Sequence, residues 1–133
     1  MAVVPPLSLS LEERAAFEKG VAEFNAGLFF ECHDTLEELW TGIRGPSRDF
    51  FQGLIQVAVG FYHLGNRNPV GAERLLGRSL KRLEAYPSEY GGVDLGTLRA
   101  GVVEWRRRLQ SEAVSDASPR EPPRIRLASE GSG

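Results

Sequence analysis

The chain is 133 residues long, enough for one domain to bury a core without disulfides or metals. Its 41% hydrophobic and 26% charged residues argue against wholesale disorder, a collagen-like repeat and a membrane protein, and its one cysteine cannot form an internal disulfide, which points to a reducing, cytoplasmic setting. The net charge of -2 hides an asymmetry: residues 1–43 carry eight acids and two bases, residues 44–133 ten acids and fourteen bases, so the halves complement each other and do not read as a nucleic-acid footprint.

Met1 to Ser10 lack the basic start and apolar run of a secretory signal, and the longest apolar stretch, Phe50 to Leu64, is too short and too interrupted by glutamines to span a bilayer. Ser10 followed by Glu13 predicts a capping box, after which Phe17, Val21, Phe24 and Leu28 recur at helical spacing until Gly27 offers a left-handed cap. A tight turn leads into a second helix, Phe29 to Ile43, with Phe29, Cys32, Leu36, Leu39, Trp40 and Ile43 on one stripe. Ser47 is placed to cap a third helix that runs to about Leu64 and is apolar on nearly every side, as a central helix should be. Asn68 and Pro69 open a fourth, buried through Ala72, Leu76, Leu80 and Leu83 and stopped by Tyr86 and Pro87. Beyond a glycine-bearing loop, Asp94 precedes a fifth, whose stripe is Leu95, Leu98, Val102, Trp105 and Leu109.

No sustained apolar/polar alternation argues for a sheet. The fold class is therefore all-α: a compact bundle of about five helices built from αα-hairpins, with residues 1–112 as a single helical domain and residues 113–133, poor in apolar side chains, as a disordered tail. Phe24, Asn25 and Gly27 in the first hairpin are echoed by Tyr62, Gly65 and Asn66 in the second. Two units are fewer than a solenoid needs, so a true repeat protein is the minority reading.

The informative segment runs from Phe30 to Trp40. At about 100° per residue its apolar stripe centres near Leu36, with His33 at the edge and Glu37 just beyond, so that His33 and Glu37 are i,i+4 neighbours at the core boundary and Asp34 lies between stripe and solvent. On the third helix Gln52, Gln56 and His63 fall on one side of an apolar cylinder and require partners. These facings predict a polar pocket between helices two and three, with His33, Glu37, Gln56 and Asp34 as ligand-binding residues and His63 nearby.

The run Phe24-Asn25-Ala26-Gly27, Phe29 to Asp34 and Leu36 to Trp40, followed by Gln52 to Ala58 and Tyr62-His63, resembles the small helical family of bacteria and archaea known as domain of unknown function 309. The resemblance covers roughly Glu18 to Leu83. Cys32 stands where that family usually has alanine, and Asp34 where it often has glutamate. What the resemblance implies is a compact helical fold; the family has no settled activity to transfer.

Two readings of the pocket remain. His33, Glu37 and His63 form a transition-metal set, two imidazoles and a carboxylate, which makes a metal-dependent enzyme the alternative function and a divalent metal the one cofactor to consider. The Glu-x-x-His pairs of di-iron bundles are absent, so a hydrogen-bond network serving a binding or interaction module is the first reading, with no cofactor and with a protein or small molecule as partner. Cys32 faces the apolar stripe, away from His33, and reads as an inert buried thiol. Arg74, Arg78 and Arg82, with Lys81, and the run Arg106 to Arg108 read as solvated faces, since no aromatic residues interleave them for base stacking.

Overall fold

Each predicted helix is present in the computed structural model, which describes residues 4–111 and 121–127. Helix α1 (Leu11–Asn25) starts at the expected capping box, with Ser10 Oγ accepting from Glu13 N–H and the Glu13 carboxylate accepting from Ser10 N–H. Helix α2 spans Phe29–Thr41, α3 Arg48–Gly65, α4 Pro69–Leu83 and α5 Leu95–Gln110. Asn68 caps α4 by accepting from Gly71 N–H at 3.0 Å, and Asp94 caps α5 by accepting from Thr97 N–H at 3.1 Å. Ser47 occupies the cap position of α3 without a side-chain bond, because its backbone is already helical (φ -83°, ψ -5°). The Phe50 N–H that a cap would have served donates instead to the Tyr86 hydroxyl at 3.0 Å, and that hydroxyl donates onward to Pro46 O.

Helix α3 lies at the centre. It packs on α2 and on α4, α1 closes over α2, and α5 closes over α4. Ten of its residues from Phe50 to Phe61 are buried, and Phe17, Phe24, Phe50, Phe51 and Phe61 have no more than 2% of their surface exposed. Their rings meet edge to face, Phe17 on Phe51 at 5.4 Å and Phe50 on Phe51 at 5.1 Å, which adds directional preference to their burial.

The two hairpins α1–α2 and α3–α4 turn in the same way. In the first, Leu28 N–H donates to Glu23 O and Gly27 N–H to Phe24 O, with Gly27 at φ +80°; in the second, Asn68 N–H donates to His63 O and Arg67 N–H to Leu64 O, with Arg67 at φ +61°. Both are Schellman closures, and the second places an arginine where the first has glycine. The weak sequence echo thus corresponds to a shared local geometry, confined to these two hairpins.

Two departures from expectation sit together. A two-residue antiparallel pair, β1 (Glu89–Tyr90) and β2 (Val93–Asp94), closes around Gly91 (φ +62°) and Gly92 (φ +78°). The strands are too short to show a period, and only the paired glycines of a tight hairpin signal them. Within the segment read as a tail, residues 121–127 pack on the helices, with Ile125 1% and Leu127 7% exposed and Leu127 bridged to Val93. Two apolar side chains anchor a stretch whose composition is otherwise that of a tail. The rest of the tail expectation lies outside the described residues.

Candidate functional site

Helix α2 presents His33 at the edge of its buried face because Cys32 and Leu36 point fully into the core while Asp34 and Glu37 point out. The His33 side chain is 25% exposed, and its ring stands 5.9 Å from that of Phe30, which in turn lies 5.5 Å from the ring of Tyr62 on α3. His33 Nδ1 is 3.5 Å from Asp34 Oδ1 and His33 Nε2 is 3.6 Å from Glu37 Oε1. Those are ion-pair separations, longer than a hydrogen bond, so their strength depends on the imidazole being protonated. One donor atom from each of the three residues lies within 4.8 Å of the other two.

Gln56 of α3 is 9% exposed, and its Oε1 has no hydrogen-bond partner among the described residues. On the facing helix α2 the indole N–H of Trp40, two turns beyond His33, is likewise buried and unpaired. A lone buried acceptor and a lone buried donor are each costly, by roughly 1–3 kcal/mol. Arg48 holds the Trp40 ring in place, its guanidinium 3.9 Å from the ring centroid and its Nη1 donating to Trp40 O at 3.2 Å and Ile43 O at 2.8 Å.

His63 is half-buried beside Tyr62 and does not join the group formed by His33, Asp34 and Glu37. The metal-type set that comes together among the described residues is therefore one imidazole and two carboxylates, all within two turns of α2. Cys32 is buried, and its thiol is pushed up to about 12 mainly by that burial, which removes it as a nucleophile near neutral pH. Sequence reasoning placed Trp40 in the core; the signal for its other role was its spacing from His33 and Glu37 at i+7 and i+3. Phe30 and Tyr62, 50% and 39% exposed, were not singled out for the site, yet they wall an open groove of about 450 Å3 between the α1–α2 turn and the end of α3.

These elements fall inside one recognised segment. Residues 17–75 match the family model described as "Domain of unknown function (DUF309)". The resemblance read from the motifs is borne out, and the DUF309 match includes His33, Asp34, Glu37, Trp40, Gln56 and His63. The chain is 40% identical over 100 residues to the "Uncharacterized protein YpuF" of Bacillus subtilis (strain 168), covering 71% of this chain and 56% of that protein. It is 27% identical over 82 residues to an "Uncharacterized protein" of Aquifex aeolicus (strain VF5), covering 61% of this chain and 25% of that protein. The chain thus spans about half or less of the length of these relatives. Among the described residues, no helix is long and apolar enough to cross a membrane.

Proposed function

We propose that the chain is a binding module whose site is the α2–α3 edge, with His33, Asp34, Glu37 and Gln56 as its ligand-contacting residues. The observation that carries this reading is the two buried, unpartnered atoms of opposite sense, Trp40 Nε1 on the helix that bears His33 and Gln56 Oε1 on the helix packed against it. A packed interior seldom leaves a donor or an acceptor unmet, and a polar ligand or an ordered water that donates to Gln56 Oε1, or accepts from Trp40 Nε1, would meet that need. The half-exposed carboxylates of Asp34 and Glu37 favour a ligand with hydrogen-bond donors or positive charge. A small molecule or a partner's side chain of that kind is the fitting class. The single thiol, buried and inert, accords with a reducing compartment such as the cytoplasm.

A divalent metal is the second reading, favoured by the three donor atoms within 4.8 Å, and it would make His33, Asp34 and Glu37 the ligands. Metal content after purification without added metal, followed by calorimetric titration of Zn2+ and Mn2+, separates the two. Stoichiometric metal lost in His33→Ala and Glu37→Gln supports the second reading. No metal uptake, together with chemical-shift changes at Gln56 and Trp40 on screening small amines, supports the first; no perturbation of either residue by any probe removes the site.

A further inference from the structure

Of the exposed large apolar side chains among the described residues, only Phe30 and Tyr62 are aromatic, and they stand together. Their rings, 5.5 Å apart and inclined at 44°, wall the groove between the α1–α2 turn and the end of α3, alongside Leu28, Glu31 and Asn66. The His33 ring continues the row at 5.9 Å from Phe30, and the His63 ring closes it at 6.2 Å from Tyr62. The preceding residue on each helix, Phe29 and Phe61, packs ring to ring at 5.7 Å against the core, which sets the spacing of the two walls. Among the described residues the Glu31 carboxylate makes no ion pair, and no lysine or arginine lines the groove. The arginines that cover aromatic rings sit elsewhere, Arg14 on Phe17, Arg48 on Trp40 and Arg108 on Trp105.

We propose that this groove binds a small organic cation, a quaternary ammonium compound, between the rings of Phe30 and Tyr62 with Glu31 as counter-charge. The negative face of an aromatic ring attracts a cation that comes within about 6 Å of its centroid, and the attraction grows as the cation loses water. A metal ion or a primary ammonium would give up strong hydration for a groove whose polar side chains are Glu31 and Asn66. N-methyl groups instead lay apolar surface on the rings while the charge is kept. The field has the matching sign beyond Glu31: Asp34 and Glu37 flank His33 at one end of the ring row, and residues 1–43 carry eight acids against two bases. The groove, about 450 Å3, falls in the range of roughly 300–1,000 Å3 usual for small-ligand sites, and it ends at the two hairpin turns, which suits a free molecule better than an extended chain. It adjoins the α2–α3 edge but does not rest on the reading of Gln56 and Trp40, neither of which lines it.

The test is an NMR titration of the full chain with choline chloride, with its uncharged carbon isostere neohexanol and with ammonium chloride, at constant ionic strength. Choline should shift the amides of Phe30, Glu31 and Tyr62 saturably, and the isostere and ammonium should each bind about three- to tenfold more weakly. Phe30→Ala and Tyr62→Ala should each weaken choline by a similar factor, Phe30→Tyr should keep it, and Glu31→Gln should weaken it by an amount that shrinks with added salt. All three positions are exposed, so the variants should fold, and the wild-type comparison of choline with its isostere needs no variant. No saturable shift at these amides, equal binding of choline and the isostere, or indifference to both alanine variants overturns the proposal. A short trimethyllysine peptide that binds on the order of tenfold more tightly than choline also overturns it, by assigning the groove to a partner's side chain. The Gln56 and Trp40 amides are read in the same spectra, so failure of this groove and failure of the α2–α3 edge are told apart.

Discussion

Leu76 of α4 closes over Gly60 of α3 so tightly that a β-carbon on the glycine would stand 2.9 Å from the leucine Cδ2. Leu36 of α2 stands in the same relation to Gly20 of α1, at 2.6 Å, and one common displacement along the chain carries Gly20 to Gly60, Leu36 to Leu76 and Gly27 to Arg67. Each hairpin is drawn together by a leucine seated on a helical glycine. Gly20→Ala and Gly60→Ala each gain about 1 kcal/mol of helix propensity. Against that, Leu36 and Leu76 are fully buried and would have to shift within the core, and overpacking a core costs about 1–3 kcal/mol. Both variants should be net destabilised in urea unfolding, and Leu76→Val should recover part of the loss in the Gly60→Ala background. Equal stability of Gly60→Ala and wild type would show that the hairpin tolerates a wider spacing.

Arg67 pays for a left-handed backbone that glycine adopts freely. The conformation costs an L-residue about 1–2 kcal/mol, whereas glycine loses about 0.4–1 kcal/mol more through the unfolded chain. The first term is the larger, so Arg67→Gly should raise stability by about 0.5–1 kcal/mol, while Gly27→Ala should lower it. Thermal unfolding of the two single variants measures both signs.

Leu54, Leu76 and Leu98 are fully buried, and truncation to alanine should cost about 2–5 kcal/mol at each. Trp105 lies only partly within the same core, its indole N–H donating to Glu121 O. Trp105→Phe should therefore cost less than any of the three. Chemical denaturation with an unchanged m-value is the appropriate measurement.

Arg74, Arg78 and Lys81 are exposed on α4, and Arg82 reaches Asp49 on α3 at 2.7 Å across a solvent-exposed pair. Replacing Arg74 and Arg78 with glutamine should change stability by no more than about 0.5 kcal/mol each. Arg82→Gln should lose about 0.2–1 kcal/mol, and the loss should shrink in high salt. A collapse of the unfolding midpoint in the triple variant would mean that the stripe is buried against a surface.

Asp94 carries a pH signature. Hydrogen bonding to Thr97 first, and the nearby Arg126 charge after it, hold its carboxyl below the usual aspartate range. A depressed carboxylate contributes stability above its unfolded pKa, near 3.9 for aspartate, and loses it as pH falls through the folded value. The stability gap between wild type and Asp94→Asn should thus be full near neutrality and narrow progressively below about pH 4. A gap independent of pH would remove the carboxylate from the cap's energetics.

Much of this protein could be read from its residues alone. Capping at Ser10, Asn68 and Asp94, the apolar stripes and the all-round hydrophobicity of α3 are local or periodic properties, and they were sufficient for five helices with α3 innermost. The edge placement of His33 and Glu37 also follows from helical angle. What depended on tertiary structure was every relation between distant segments. Tyr86 serves the start of α3 in place of Ser47 because packing brings a hydroxyl to an N–H that the local backbone left unmet. His63 shares a helix face with Gln56 yet stays out of the His33 group, since angular position on one helix says nothing about reach to another. Ile125 and Leu127 enter the core where Asn25, a hundred residues earlier, offers both halves of its carboxamide to the backbone N–H and C=O of Ile125. Composition averages over such a segment, and two apolar residues among prolines and arginines acquire meaning only when a groove of the right shape is already folded to receive them.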